Sequence, residues 1–150
     1  MKIYLGTDHR GFHLTNELVD FLKKHDFNVE DEGDEELNPN DDFPIFAKRV
    51  VVKVLASDDE DARGILLCGS GQGMCMAANR FKGIRACLGW DKEAARSSRN
   101  DDDSNVLCIP ANVLEKDKKE LWEIDETWLM TPFAKVPRYA RRIIELDKIV

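Results

Sequence analysis

The chain has 150 residues, 43% apolar and 34% charged, with 22 basic against 29 acidic side chains and a formal charge of −7. That length suits one domain, and the apolar share is too large for a disordered chain. An acidic balance argues against phosphate-backbone binding, no run approaches the ~18–20 apolar residues of a membrane span, and no signal-peptide core is present; a soluble, cytoplasmic protein with neither nucleic-acid nor membrane partners is expected.

In chain order, Lys2–Thr7 reads as a strand, and in Phe12–His25 the residues Leu14, Leu18, Phe21 and Leu22 share one helical face. Phe27–Glu30 is a short strand candidate, followed by the acidic loop Asp31–Asp42. Phe43–Ala56 returns to helical period through Ala47, Val50, Val51, Val54 and Leu55. Arg63–Cys68 is a continuous apolar run, the pattern of a strand covered on both faces. Met74–Arg80 is expected as a helix, Ile84–Leu88 as a strand, Asp91–Asp101 as a polar helix and Asn105–Ile109 as the fifth strand. Asp117 and Glu120 have capping-box spacing for a further helix, and Pro137 suits the first turn of the last one, which is expected over about 137–150. Strands alternating with helices predict parallel βαβ units: one α/β domain over residues 1–150, three layers deep, with about five parallel strands.

Open α/β sheets bind ligands outside the carboxyl ends of their strands. Strand one ends at Asp8-His9-Arg10-Gly11, strand three at Cys68-Gly69-Ser70-Gly71-Gln72-Gly73 and strand four at Gly89-Trp90-Asp91. The glycines at 69, 71 and 73 free backbone N–H groups to converge on an anion, although a tight strand-to-helix turn uses the same residues. Neither Gly-Lys-Ser/Thr nor GxGxxG occurs there, which disfavours nucleotide triphosphates and dinucleotides. Cys68 closes its strand facing a helix start, a setting that favours the thiolate. A base beside an anion-binding loop suits proton abstraction next to a carbonyl, with the enediolate held by Ser70 and backbone amides.

The remaining polar features are less decisive. Cys75, Cys87 and Cys108 lie in apolar company without CxxC or Cys/His metal spacing, so neither a disulfide framework nor a zinc site is expected. Asp8-His9 suits contact with sugar hydroxyls or phosphate, or simply a capping Asp beside an exposed His. His13 and His25 fall within the first helix and receive no function. Arg138 and Arg142 share a helical face, fit either to grip a phosphate or to form a solvated basic surface. Asp31–Glu36 and Asp58–Asp61 read as solvated loops; Asp101-Asp102-Asp103 reads the same way, except that its place just before strand five is expected to bring it near the functional edge.

Taken in order, Asp8-His9-x-Gly11, Asp42-Phe43-Pro44, Cys68-Gly69-Ser70-Gly71-x-Gly73, Ala77-Ala78-Asn79, Gly83-Ile84-Arg85-Ala86 and Ser104-Asn105-Val106-Leu107 give a chain that resembles the ribose-5-phosphate isomerase B family, which includes the galactose-6-phosphate isomerase subunits. The resemblance runs from the first strand to the last helix. It implies a Rossmann-like fold, assembled as homodimers or homotetramers with active sites between subunits, and it implies no metal or other cofactor. It implies that Cys68 moves a proton between C1 and C2 of a small sugar phosphate, that Ser70 and the amides of Gly69, Gly71 and Gly73 hold the enediolate, and that Asp8 and His9 contact the sugar and its phosphate end. Arg138 and Arg142 would bind phosphate from the C-terminal helix of a neighbouring subunit. Two positions depart from the family pattern. Asp101 stands where many members have a ring-opening histidine, with Asp102 beside it at a substrate-contacting position, and Asn112 stands where many have a phosphate-site arginine. An ordinary carboxylic acid, ionising near ~3.9, is a poor proton donor at neutral pH. The substrates left in view are ribose 5-phosphate and a tetrose or hexose phosphate. A non-catalytic phosphosugar-binding protein that keeps Cys68 as a core residue is the alternative from another class, and a flavodoxin-like nucleotide binder lacks an aromatic pair to support it.

Overall fold

The computed structural model describes residues 1–149; Val150, the end of the expected last helix, lies outside the described residues. Five strands, β1 (Lys2–Thr7), β2 (Asn28–Asp31), β3 (Arg63–Cys68), β4 (Ala86–Leu88) and β5 (Val106–Pro110), form one sheet in the order β2-β1-β3-β5-β4, and every pairing is parallel. Seven helices connect and follow them: α1 (Phe12–Lys24), α2 (Phe43–Ala56), α3 (Gln72–Ala78), α4 (Lys92–Asp102), α5 (Ala111–Leu114), α6 (Lys118–Met130) and α7 (Pro137–Leu146).

Strand alternation divides the core in two. Ile3, Leu5, Ile65, Leu67, Leu107 and Ile109 point to one face, where Leu14, Leu18 and Leu22 of α1 and Leu121, Ile124 and Trp128 of α6 cover them. Tyr4, Leu66, Cys68, Val106 and Cys108 point to the other, under Phe46, Val50 and Val51 of α2 and Met74 of α3. A sheet buried on both faces needs unbroken apolar strands, which is why β3 reads as the run Gly64-Ile65-Leu66-Leu67-Cys68. The outer layer is thinner at α7, which packs on α4 and buries none of its residues. Among the described residues, no helix is long and apolar enough to cross a membrane.

The expected α/β sandwich with five parallel strands is present; most limits hold or move by one residue, and the larger differences have identifiable reasons. β4 begins at Ala86, not Ile84, because the Asn105 side chain takes the Arg85 N–H at 2.8 Å and donates to the Gly83 carbonyl at 2.8 Å, diverting that backbone from the ladder. Asn79 then caps this short edge strand by accepting from Ala86 N–H and donating to its carbonyl. α3 starts two residues earlier than its apolar pattern, because Gly71 at φ +73° turns the chain directly into it. A β-carbon at Gly71 would also stand 2.5 Å from Leu88 Cδ1. α5 is a single turn too short to show a period.

One buried group opposes the fold. Asp125 of α6 is fully buried and neither carboxylate oxygen has a hydrogen-bond partner, so burial drives its pKa well above the ordinary value. The folded state therefore keeps it protonated, whereas the unfolded chain releases that proton near ~3.9. Its contribution to stability is fully present below ~3.9 and is lost as pH rises toward the folded-state value. Asp125→Leu is expected to stabilise the protein by about 1–3 kcal/mol by removing an unsatisfied buried carboxyl, with a larger gain at pH 7 than at pH 4 because ionisation of the unfolded chain adds to the cost only at the higher pH; urea unfolding at the two pH values reads both.

Candidate active site

The chain runs from β1 outward to β2 and returns on the opposite side of β1 as β3, so the order reverses between β1 and β3. The carboxyl ends of those strands diverge into a crevice at such a reversal. Gly6 lies opposite Leu66 and Thr7 opposite Leu67, which brings Asp8 alongside Cys68 at the crevice mouth.

Cys68 is the last residue of β3 and its side chain is almost wholly buried. The Gly71 N–H donates to its Sγ at 3.2 Å. The loop is drawn tight by a second bond, from Gln72 N–H to Ser70 Oγ at 3.3 Å, with Ser70 itself exposed. Helix geometry leaves the Gly73 and Met74 amides without intrahelical acceptors. Gly73 is required for a different reason: a β-carbon there would stand 2.8 Å from the Phe43 ring, which seals the loop from the α2 side. This contact joins two motifs, Asp42-Phe43-Pro44 and the glycine loop, that are thirty residues apart.

Asp8 and His9 stand opposite. Asp8 is buried and accepts the Arg10 N–H at 2.9 Å; burial raises its pKa, with the Arg10 amide working the other way. His9 is half-buried, and its Nδ1 lies 2.6 Å from Asp41 Oδ1, which also accepts the His9 backbone N–H at 3.0 Å. Asp41 thus fixes the ring with Nδ1 donating, which leaves Nε2 free to meet an oxygen of a ligand. Sequence reasoning left Asp41 inside an acidic loop, and nothing in its local pattern separates it from its neighbours. It also passed over Arg10. Asn112, in α5 just past the end of β5, donates its backbone N–H to Gly69 O at 3.0 Å and so borders the same loop.

The other expected site residues lie elsewhere, and their expected place is corrected. Asp101 and Asp102 occupy the last turn of α4, whose exit leads to the amino end of β5. A segment that precedes a parallel strand lies at the opposite edge from the loops that follow one. Asn105 O accepts the Gly64 N–H at 2.9 Å, and from Gly64 to Cys68 is four residues of strand, roughly 13 Å. Asp101 accepts from Asn100 Nδ2 at 2.7 Å. The Asp102 pKa is raised by burial and by Asp101, while Arg142 and Arg85 oppose the shift. Asp102 and Arg142 line one groove of about 910 Å³ that runs beside β4, with Asn79, Arg85 and Ile143. Arg138 lies one turn earlier on α7 and is exposed. Within one chain, therefore, Cys68, Ser70, the glycines, Asp8 and His9 stand at one edge of the sheet, and Asp101, Asp102 and Arg142 at the other. Among the described residues, no group of three or more His, Cys, Asp or Glu side chains is disposed to hold a metal ion.

The ribose/galactose isomerase family model matches residues 3–146. A probable ribose-5-phosphate isomerase B of Mycoplasma genitalium is 38% identical over 149 residues, spanning 99% of this chain and 93% of that protein. The crystal structure of ribose-5-phosphate isomerase B from Mycoplasma genitalium with bound ribulose 5-phosphate superposes with a TM-score of 0.91 at 36% identity, covering 98% of this chain and 94% of that one. Clostridium thermocellum ribose-5-phosphate isomerase B gives a TM-score of 0.92 at 36% identity over 99% and 97% of the two chains.

Proposed function

The chain belongs to the ribose/galactose isomerase family, and from that premise we propose how it interconverts aldose and ketose forms of a small sugar phosphate, ribose 5-phosphate and ribulose 5-phosphate first among them. The observation that carries the mechanism is the Cys68 sulfur, held by the Gly71 N–H at 3.2 Å in the crevice between β1 and β3. On the open-chain aldose, the Cys68 thiolate takes the proton from C2. The C2–H electrons form the C1–C2 double bond, and the carbonyl electrons move to O1. Ser70 and the amides of the Gly69–Gly73 loop hold the enediolate that results. The C1–C2 electrons then take the proton back from the thiol at C1, the O2 proton passes to O1, and the electrons of the O2–H bond complete the C2 carbonyl of the ketose. Asp8 and His9 position the sugar, with Asp41 fixing the imidazole.

The two half-sites at opposite edges favour a shared site. In a homodimer, or a homotetramer of such pairs, Asp101, Asp102, Arg138 and Arg142 of one subunit meet the Cys68 loop of another. The exposed α7, with Ile144 and Leu146 uncovered and the exposed Ile149 just beyond it, suits the role of an intersubunit element. Turnover of a panel of C4 to C6 sugar phosphates tests the function. Conversion of at least one pair, saturable and inhibited by inorganic phosphate, is expected; binding without conversion of any member would leave a phosphosugar-binding protein instead.

Asp101 is assigned to ring opening. If it acts only there, Asp101→Asn slows cyclic pentose phosphates by about 10²-fold or more and leaves acyclic substrates of similar length nearly unchanged, because the enediolate step is untouched. Equal effects on both substrate forms would remove Asp101 from ring opening.

A further inference from the structure

Resting on the sugar-phosphate reading, we propose that Arg10 is the cation that holds the substrate's phosphate on the Cys68 side of the site, working with the Asn112 amide across Gly69. Three loops converge there. Arg10 lies three residues past the end of β1, Gly69 directly follows Cys68, and Asn112 lies two residues past the end of β5. A β-carbon at Gly69 would stand 3.0 Å from Asn112 Nδ2 and 3.5 Å from Arg10 Nε. The guanidinium and the carboxamide therefore border one spot above the glycine, immediately beside the residue assigned as base.

The Arg10 guanidinium is uncommitted. Arg63 donates to Asp61 and to the Trp128 and Leu129 carbonyls, and Arg99 donates to Asp103 and the Ser104 carbonyl. Arg85 is likewise engaged by Asp103. Those arginines are structural. Among the described residues, no carboxylate pairs with the Arg10 side chain, which is exposed at the crevice, while its backbone is fixed by the N–H bond to Asp8. The acceptors nearby are already turned away: Asp8 Oδ1 receives the Arg10 amide and Asp41 Oδ1 receives His9. A patch that offers an unpaired guanidinium and a carboxamide selects an oxyanion, and the guanidinium fork matches a phosphate in two-point contact. The absence of a side chain at Gly69 leaves room for that anion to approach both donors.

This grip belongs to the same chain as Cys68, so it is separable from Arg138 and Arg142, which would come from a second copy. The test compares the wild type with Arg10→Met, Arg10→Lys and the double variant Arg10→Met/Asn112→Arg, using ribose 5-phosphate as substrate and inorganic phosphate as inhibitor. Arg10→Met should raise both the KM and the phosphate inhibition constant roughly 10–100-fold and leave kcat within about threefold. Arg10→Lys should fall between. The double variant should recover most of the loss, because position 112 borders the same spot; a purely structural role for Arg10 gives no such recovery. A KM within twofold of the wild type in Arg10→Met, a loss confined to kcat, or no recovery in the double variant would each overturn the assignment. If the wild type turns over no sugar phosphate, the function fails, and calorimetric titration of inorganic phosphate into wild type and Arg10→Met still decides the role of Arg10: equal affinities overturn it, and a 10-fold or greater weakening upholds it.

Discussion

Cys68→Ala is expected to abolish isomerisation while leaving phosphosugar binding nearly intact. The substitution removes the group proposed to move the C2 proton, and loss of a positioned base typically costs ~10²–10⁴-fold. It leaves the Gly69–Gly73 backbone, the His9–Asp41 pair and the neighbouring cations in place. Folding should also tolerate it: the sulfur accepts one amide N–H, and alanine keeps the β-carbon at this buried strand end under α3. Turnover and titration of ribose 5-phosphate by calorimetry separate the two effects. Retained turnover would remove the thiol from the mechanism, and lost binding would make Cys68 a structural residue of the loop.

A second large effect is expected from mixing two inactive proteins. Cys68→Ala damages one half-site and Arg142→Ala the other, and these residues stand at opposite edges of the sheet in each chain. If the site is shared between subunits, a hybrid pair contains one site with both defects and one with neither. Random exchange of equal amounts makes half of the dimers hybrid, so activity should climb from near zero to about a quarter of the wild-type level, on the principle that an isologous interface is used twice. No recovery after subunit exchange verified by mass spectrometry would show that each site is built within one chain.

Much of the fold was legible because its signals are local. β3 is an uninterrupted apolar run and α2 carries a clear helical period up to Ala56, and both have the expected limits. The errors came where a long-range contact decides. The Asn105 side chain, just before the neighbouring strand β5 and twenty residues away in sequence, shortens β4, and the φ of Gly71 starts α3 early. The site divides along the same line. Asp8, His9, Cys68 and the glycines follow strand ends and can be read directly. Asp41 and Arg10 become candidate site residues only once strand order places the loops together, whereas the family resemblance already marked Asn112. The misplacement of Asp101 had a plainer source: nearness to a strand was read as nearness to its functional end, although residues before a parallel strand lie at the other edge.

The claim on which the mechanism turns is that the Cys68 thiolate is the catalytic base of the phosphosugar site, and graded alkylation tests it most directly. Wild-type protein treated with iodoacetamide for increasing times, with and without ribose 5-phosphate, is assayed for isomerase activity and mapped for modification at each of the four cysteines. Activity is predicted to fall in proportion to the fraction of Cys68 alkylated, to extrapolate to zero at full modification, and to be protected by ribose 5-phosphate together with that cysteine. Full activity in protein whose Cys68 is completely alkylated, or activity that tracks Cys75 instead, would contradict it.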